Sequence, residues 1–508
     1  MRQIVVGLFL MLASQSVAGQ TRPPRELRDL DAWLTQALSD WEVPGLAVAV
    51  VHGDSMVFAK GYGVRALGSH DSVTTSTLFA NASTTKAFTS LAVGLMVDAG
   101  KLDWDDRVVD RLPGLLLRDP YPARELRIRD LLSHRVGFGD PGFLWYGTEL
   151  ATAEMFRRVR FVEPQSSFRS RYAYNNVTYA SAGVIAGVAD GRGWDVLVRD
   201  RILTPLGMTA TVTQGRYLPT DGNVALPHDR VRDTLRVISG VGSLVDGIAP
   251  AGAMYSNVLD MARWLRFLLR GGRVGDSALV RLETFAEPFR PQTIIPTSSF
   301  YPTARHTKPH FTAYGMGWFL QDYHGAFVAF HTGSIDGYVA IVGLLPDHDV
   351  GVVVFANRDH AELRHAIMWT VFDAYLGTGD RDWSVEFKAL YDSLDAEQAT
   401  RRATRDAGRV ANTSPSVPRS AFAGSYADSA HGTVTIRAEN GALRFVQTPF
   451  LSGTLEHWHY DTFVIRWDNA WITPEFVMFE LGLDGAVDAA SVGGVRLGRV
   501  EDLPGGER

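Results

Sequence analysis

Apolar residues recur at three- and four-residue steps across 25–41, where Leu27, Leu30, Trp33, Leu34, Leu38 and Trp41 fall on one helical face. The pattern predicts a helix that Pro44-Gly45 ends. Leu46–Val51 is a continuous apolar run and reads as a buried strand, with Ser55–Tyr62 as a second one across the turn His52-Gly53-Asp54. The helical period returns from Thr84 to Ala99 through Phe88, Leu91, Leu95 and Met96, and Gly100 stops it. Between about 105 and 290 helical patches outnumber strands; they include Trp194–Leu203, expected to stop before Pro205, and Asp260–Leu269, ended by Gly271-Gly272. Strands resume at Gly317–Gln321, Phe327–Phe330, Tyr338–Leu345 and Val350–Phe355, followed by a helix at about 361–376. Strands at both ends of a region with helices between them predict an α/β, two-lobed arrangement.

The texture then changes twice. Residues 381–418 contain a charged, helix-prone stretch and a Ser- and Pro-rich linker, Asn412 to Pro418. From 419 to 508 the chain breaks into short alternating stretches, Gly432–Arg437, Ala442–Gln447, Thr462–Trp467 and Phe476–Leu481, split by turns such as Glu439-Asn440-Gly441. That predicts a small all-β unit, a barrel or a sandwich.

Composition narrows the classes. A chain of 508 residues exceeds one ordinary domain, and 50 basic against 56 acidic residues leave a net charge of only -6. No dense Lys/Arg block marks a nucleic-acid face, so no nucleic-acid partner is expected. The absence of cysteine removes disulfides, a thiol nucleophile and a Cys-bound metal. Arg2 followed by the apolar run Ile4 to Ala13 and by Ser16-Val17-Ala18 reads as a signal peptide over 1–18. The run is too short for a spanning helix, which needs about 20 apolar residues, so no anchor is expected after cleavage. A periplasmic or secreted bacterial protein is the expectation. His457 and His459 alternate on one stretch and could approach a metal, but a solvated strand face is the preferred reading.

Three patterns could carry chemistry. A serine hydroxyl needs a base to become a nucleophile. Gly-x-Ser-x-Gly does not occur, nor does His-Glu-x-x-His. Ser83-Thr84-Thr85-Lys86 is present, and residues three apart on a helix share a face. Lys86 is one of five lysines, with Lys60, Lys101, Lys308 and Lys388, and it interrupts a small and apolar helix start. To serve as base it must be partly neutral, which burial favours. The competing reading is an N-cap serine followed by a solvated lysine. Tyr174-Asn175-Asn176 offers a phenol and an amide, against ordinary loop packing. His331-Thr332-Gly333-Ser334 follows an apolar strand, where a glycine on a strand edge lets a substrate backbone approach, against a plain polar turn.

In this order, Ser-x-x-Lys, Tyr-x-Asn and His-Thr-Gly resemble the serine β-lactamase-like superfamily, in its branch of class C β-lactamases, D-aminopeptidases, DD-peptidases and esterases. Leu131-Leu132-Ser133-His134 with Gly137, Pro205-Leu206-Gly207-Met208 and Tyr314-Gly315-Met316-Gly317-Trp318 look like recurrent stretches of that family. The resemblance covers about 25–380 and implies a β-lactamase/transpeptidase-like fold, an antiparallel sheet with a helical lobe over about 105–290, in a domain of 22–380. The tail looks like the β-rich accessory domain of some members. The resemblance implies that Ser83 is acylated, that Lys86 and Tyr174 share the proton traffic with Tyr174 as base for the deacylating water, and that Asn176 orients Lys86 and the substrate. It places the oxyanion hole at the backbone N–H groups of Ser83 and Ser334, with His331, Thr332 and Gly333 beside the substrate, and it implies no metal or organic cofactor. Position 331 is His where β-lactamases of this type carry Lys, which points to the esterase and aminopeptidase members. Tyr172 is a second candidate phenol. The expected activity is hydrolysis of ester or amide bonds in a small-molecule or peptide-like substrate, of esterase or D-aminopeptidase type. The alternatives are a β-lactamase or DD-peptidase, or a non-catalytic cell-wall or ligand-binding protein on the same scaffold. A homo-oligomer is left open.

Overall fold

The computed structural model describes residues 25–439 and 441–500; the leader read at 1–18 lies outside them. The amphipathic start forms helix α1 (Leu30–Asp40), and the apolar run after it forms β1 (Gly45–His52), paired with β2 (Ser55–Gly63). The later strands are β3 (Thr293–Ile294), β4 (Thr312–Tyr314), β5 (Phe319–Tyr323), β6 (Ala326–Ile335), β7 (Tyr338–Leu345) and β8 (Val350–Ala356). They join the first two in one antiparallel sheet ordered β2-β1-β8-β7-β6-β5-β4-β3. Hence Val354 of β8 sits between Val48 of β1 and Ile341 of β7. β7 and β8 are buried along their whole length, which is why their sequences run apolar without alternation.

One face of the sheet carries α1, α5 (Leu363–Leu376) and α6 (Trp383–Ala407) over a core that includes Val48, Phe330, Trp369 and Trp383. The other face meets the helical lobe through α2 (Thr85–Asp98), α3 (Asn176–Asp190) and α4 (Val258–Leu269). There Phe88 stacks on Trp264 at 4.0 Å and Phe79 on Phe355 at 5.7 Å. α2 is buried on every side from Thr85 to Met96, as expected of a helix apolar all round.

Two expectations need correcting. The helix from Trp194 does not stop before Pro205; it opens into a π-turn over Arg199–Leu203 and continues to Leu206, where Gly207 at φ 68° ends it. A proline ring clashes with the carbonyl four residues back, and the wider π-turn moves the preceding backbone out of that geometry. The His331–Ser334 motif lies inside β6 rather than in a turn after it.

The tail is a closed antiparallel barrel of β9 (Gly424–Asp428), β10 (Gly432–Glu439), β11 (Ala442–Val446), β12 (Ser452–His459), β13 (Thr462–Trp467), β14 (Glu475–Leu481), β15 (Val487–Val492) and β16 (Val495–Val500). Each strand pairs with the next and β16 closes on β9. The barrel rests on the loop 139–147. Thr448 Oγ1 donates to Gly147 O at 2.7 Å, and the ring of Phe450 meets that of Tyr146 at 5.8 Å. The imidazoles of His457 and His459 are spent on separate backbone groups, Tyr460 O and Val410 N–H. No helix among the described residues is long and apolar enough to cross a membrane.

Candidate active site

Ser83 sits in a single 3₁₀ turn, Ala82–Thr84, that runs into α2, so Lys86 follows one turn later on the same side. Ala82 holds φ 45°, a left-handed conformation that costs an alanine energy and persists only where its surroundings fix it. Strand β6 supplies that constraint. A Cβ on Gly333 would lie 2.2 Å from Asn81 O and 3.1 Å from Ser83 N, so glycine alone lets the strand touch this turn. The pairing of β5 with β6 runs from Ala326 to Phe330 and stops there, which leaves residues 331–335 as a local edge although β6 is interior to the sheet.

The Lys86 ammonium is wholly buried and has three donors, each with an acceptor. They are Ser83 Oγ at 3.2 Å, Asn176 Oδ1 at 2.7 Å and Ala251 O at 2.8 Å. Burial brings its pKa down to about 7, opposed by the charge of Asp140. Tyr174 donates to Ser83 Oγ at 2.8 Å, and its ring lies 4.7 Å from the Lys86 ammonium. Burial holds this phenol well above its ordinary pKa, although the bond to Ser83 lowers it. The hydrogen-bond partners of Ser83 Oγ are Lys86 and Tyr174, whereas Tyr172 packs against His134, Tyr314 and Phe319.

The three residues of Tyr174-Asn175-Asn176 point to three different tasks. Asn175 caps α3, its Oδ1 accepting from Thr178 N at 2.9 Å. Asn176 turns its amide oxygen to Lys86 because Asp140 takes the other end: Asn176 Nδ2 donates to Asp140 Oδ2 at 2.8 Å and Asn176 N to Oδ1 at 2.9 Å. Trp145 Nε1 also donates to Asp140 Oδ2 at 2.9 Å. Sequence reasoning missed Asp140. Its one mark in the sequence is to be a lone acid in the Gly-, Pro- and aromatic-rich loop Gly137 to Tyr146, which does not name its partner.

The third motif, His331–Ser334, is divided by strand alternation, since successive side chains point to opposite faces. His331 and Gly333 face Ser83's side of the sheet, and Thr332 and Ser334 the other. There Thr332 Oγ1 meets Tyr301 OH at 2.5 Å and Ser334 Oγ accepts from Arg364 Nη1 at 2.8 Å. His331 is 1% exposed with both ring nitrogens engaged, Nε2 with Tyr314 OH at 2.9 Å and Nδ1 with Thr332 O at 2.6 Å. Burial and the nearby Lys86 push it down to about 3, so it is neutral. The side chains of His331 and Thr332 are thus held by contacts within the protein, while Ser334 is exposed. What this stretch can offer is backbone, held directly against the Ser83 turn at Gly333. His134 completes the surroundings, its ring 4.3 Å from that of Tyr174 and its Nδ1 accepting from Asn175 N–H at 3.1 Å.

An antiparallel sheet with helices on both faces and a helical lobe bearing this cluster is the β-lactamase and penicillin-binding-protein fold, here followed by an eight-stranded barrel. The chain belongs to the β-lactamase family, whose model matches residues 30–374, while residues 408–497 match a domain of unknown function, DUF3471. Among relatives, Unguisins hydrolase ungD' of Aspergillus campestris is 27% identical over 438 residues, 80% of this chain and 77% of the relative. Penicillin-binding protein 4 of Amycolatopsis lactamdurans is 30% identical over 327 residues, 63% of this chain and 82% of the relative. The octameric penicillin-binding protein homologue from Pyrococcus abyssi superposes with a TM-score of 0.60 at 19% identity, covering 92% of this chain and 99% of that one.

Proposed function

We propose that the protein is a serine hydrolase that cleaves ester or amide bonds of small or peptide-like substrates through an acyl-enzyme on Ser83. The observation that carries this reading is that Ser83 Oγ lies within hydrogen-bond reach of both Lys86 Nζ and Tyr174 OH, at 3.2 and 2.8 Å. Neutral Lys86 takes the hydroxyl proton as Oγ bonds to the substrate carbonyl carbon. Tyr174, a neutral phenol, relays that proton to the departing alcohol or amine rather than acting as a phenolate base. Water then attacks the acyl carbon, gives its proton back along the same route, and the acid leaves Ser83. Asn176 holds the Lys86 amine toward the serine. The backbone N–H of Ser83, in the first helical turn, and that of Ser334 face the developing oxyanion. Family membership and a relative named as a hydrolase support the reading.

The neutral, enclosed His331 favours esterase or aminopeptidase chemistry over β-lactam hydrolysis, since no cation stands at 331 to meet a carboxylate. A fluorophosphonate probe should label the wild type and leave Ser83→Ala unlabelled; equal labelling refutes the assignment. Parallel rates on p-nitrophenyl acetate, a D-amino acid p-nitroanilide and nitrocefin decide the substrate class, and nitrocefin turnover equal to that of the ester refutes the His331 argument. The leader at 1–18 supports export to the periplasm or medium, tested by whether the mature N-terminus begins after Ala18.

A further inference from the structure

Between the loop 139–147 and the barrel lies a cavity of about 880 Å³, within the size range of small-molecule sites. Phe143, Trp145 and Tyr146 form its wall on the hydrolase side; Gln447, Trp467 and Glu475 line it from the barrel. Asp140 belongs to the same wall, and its carboxylate accepts from Asn176, so the cavity begins one side chain from the candidate catalytic centre.

The charges around this cavity are matched with one exception. Arg118 pairs with Glu163 at 2.5 Å, His431 with Asp428 at 2.6 Å, and Arg496 with Glu480 at 2.8 Å and Asp488 at 3.1 Å. Asp140 is held by Asn176 and Trp145. Glu475 has neither a hydrogen bond nor an ion pair among the described residues, and its Oε2 is shut off from water. Burial raises its pKa with no donor to counter it. Gln447 Oε1 is a second buried acceptor without a partner. Two unmet acceptors, one of them a carboxylate, leave a place for a donor that carries positive charge. The aromatic faces around them suit a cation on an apolar stem.

We propose that this cavity is a binding site for a primary ammonium or guanidinium group at the non-reacting end of the substrate, with Glu475 as the residue that selects it. The inference rests on the serine-hydrolase reading for its link to catalysis but not for binding itself. It gives the barrel a task in choosing substrates: acyl chains with a terminal cation are preferred to uncharged chains of the same length.

The test has two arms, both on the full-length protein. The first compares kcat/KM for the p-nitrophenyl esters of 6-aminohexanoic and heptanoic acids. The wild type should favour the cationic ester by roughly tenfold or more, the scale of a charge-assisted hydrogen bond, and Glu475→Gln should bring the ratio close to one. The second follows the thermal midpoint in hexylammonium chloride and in hexanol. Hexylammonium should raise it in the wild type, less in Gln447→Met and not in Glu475→Gln. A ratio that Glu475→Gln leaves unchanged, or equal shifts with both additives, overturns the proposal. Because the second arm needs no turnover, loss of the Ser83 assignment and loss of this site are read separately.

Discussion

Asp140 fixes which end of the Asn176 amide faces Lys86. Both donors of Asn176, its backbone N–H and its Nδ2, go to the Asp140 carboxylate, so only the amide oxygen is left for the ammonium. Asp140→Asn puts an amide against those donors and frees Asn176 to turn. The expected loss in kcat/KM is roughly ten- to a hundredfold, the cost of one misplaced buried hydrogen bond. Its pH profile separates positioning from mere destabilisation. The charge of Asp140 raises the Lys86 pKa against burial, so without it the rise of kcat/KM with pH should be centred below the wild-type value of about 7. An unmoved profile removes Asp140 from the catalytic centre.

Tyr174→Phe keeps the ring that packs on His134 and Lys86 and removes only the hydroxyl bonded to Ser83. A fall in kcat of roughly 10²–10⁴, with the thermal midpoint little changed, is expected for a lost proton relay. Tyr172→Phe serves as the control, and comparable rates for the two variants exclude the relay.

Replacing His331 by Lys should not create a β-lactamase. The new ammonium would be enclosed with Tyr314 and close to Lys86, without a counter-charge, a burial that costs about 3–5 kcal/mol. Urea unfolding measures the loss, and nitrocefin turnover without loss of stability contradicts it. The wild-type histidine has its own signature. Its folded pKa of about 3 lies below the ordinary 6.5, so the unfolded chain binds the extra proton between those values and stability falls as pH drops through that window. His331→Gln should make this dependence shallower without abolishing it, since burial also lowers His134, His228 and His365.

Gly333→Ala forces a methyl group against Asn81 O and the Ser83 amide. Overpacking of this kind costs about 1–3 kcal/mol, and here it also displaces the strand edge that lies against Ser83. Activity should fall further than stability accounts for, measured as fluorophosphonate labelling rate at a temperature where the variant is folded.

Long apolar or strictly periodic segments were legible from the chain alone: β1, β2, α2, β7 and β8 fall within a residue or two of their expected ends. The sequence pattern does not predict β9, β15, β16 and most of β12, because closure of the barrel, rather than their own mixed sequences such as Val487–Val492, makes them strands. In the site, Ser83 with Lys86 and Tyr174 with Asn176 could be paired by motif and spacing. Asp140 could not, because its task depends on contacts 36 residues away in the sequence with Asn176. Which face of β6 each motif residue takes was decided by register with β7, such as Thr332 opposite Ile341, and not by the motif.

The order of strands in the main sheet also sets a schedule. β1 and β2 are near the beginning of the chain, yet β1's other neighbour is β8, and the turn holding Ser83 waits for Gly333, about 250 residues later, to lie against it. Contacts so distant in sequence close slowly, since the entropy of a long loop must be lost before they form. The hydroxyl, the amine and the strand edge therefore meet only when nearly the whole hydrolase domain has been made. Until then the growing chain carries its serine without the setting that would make it reactive.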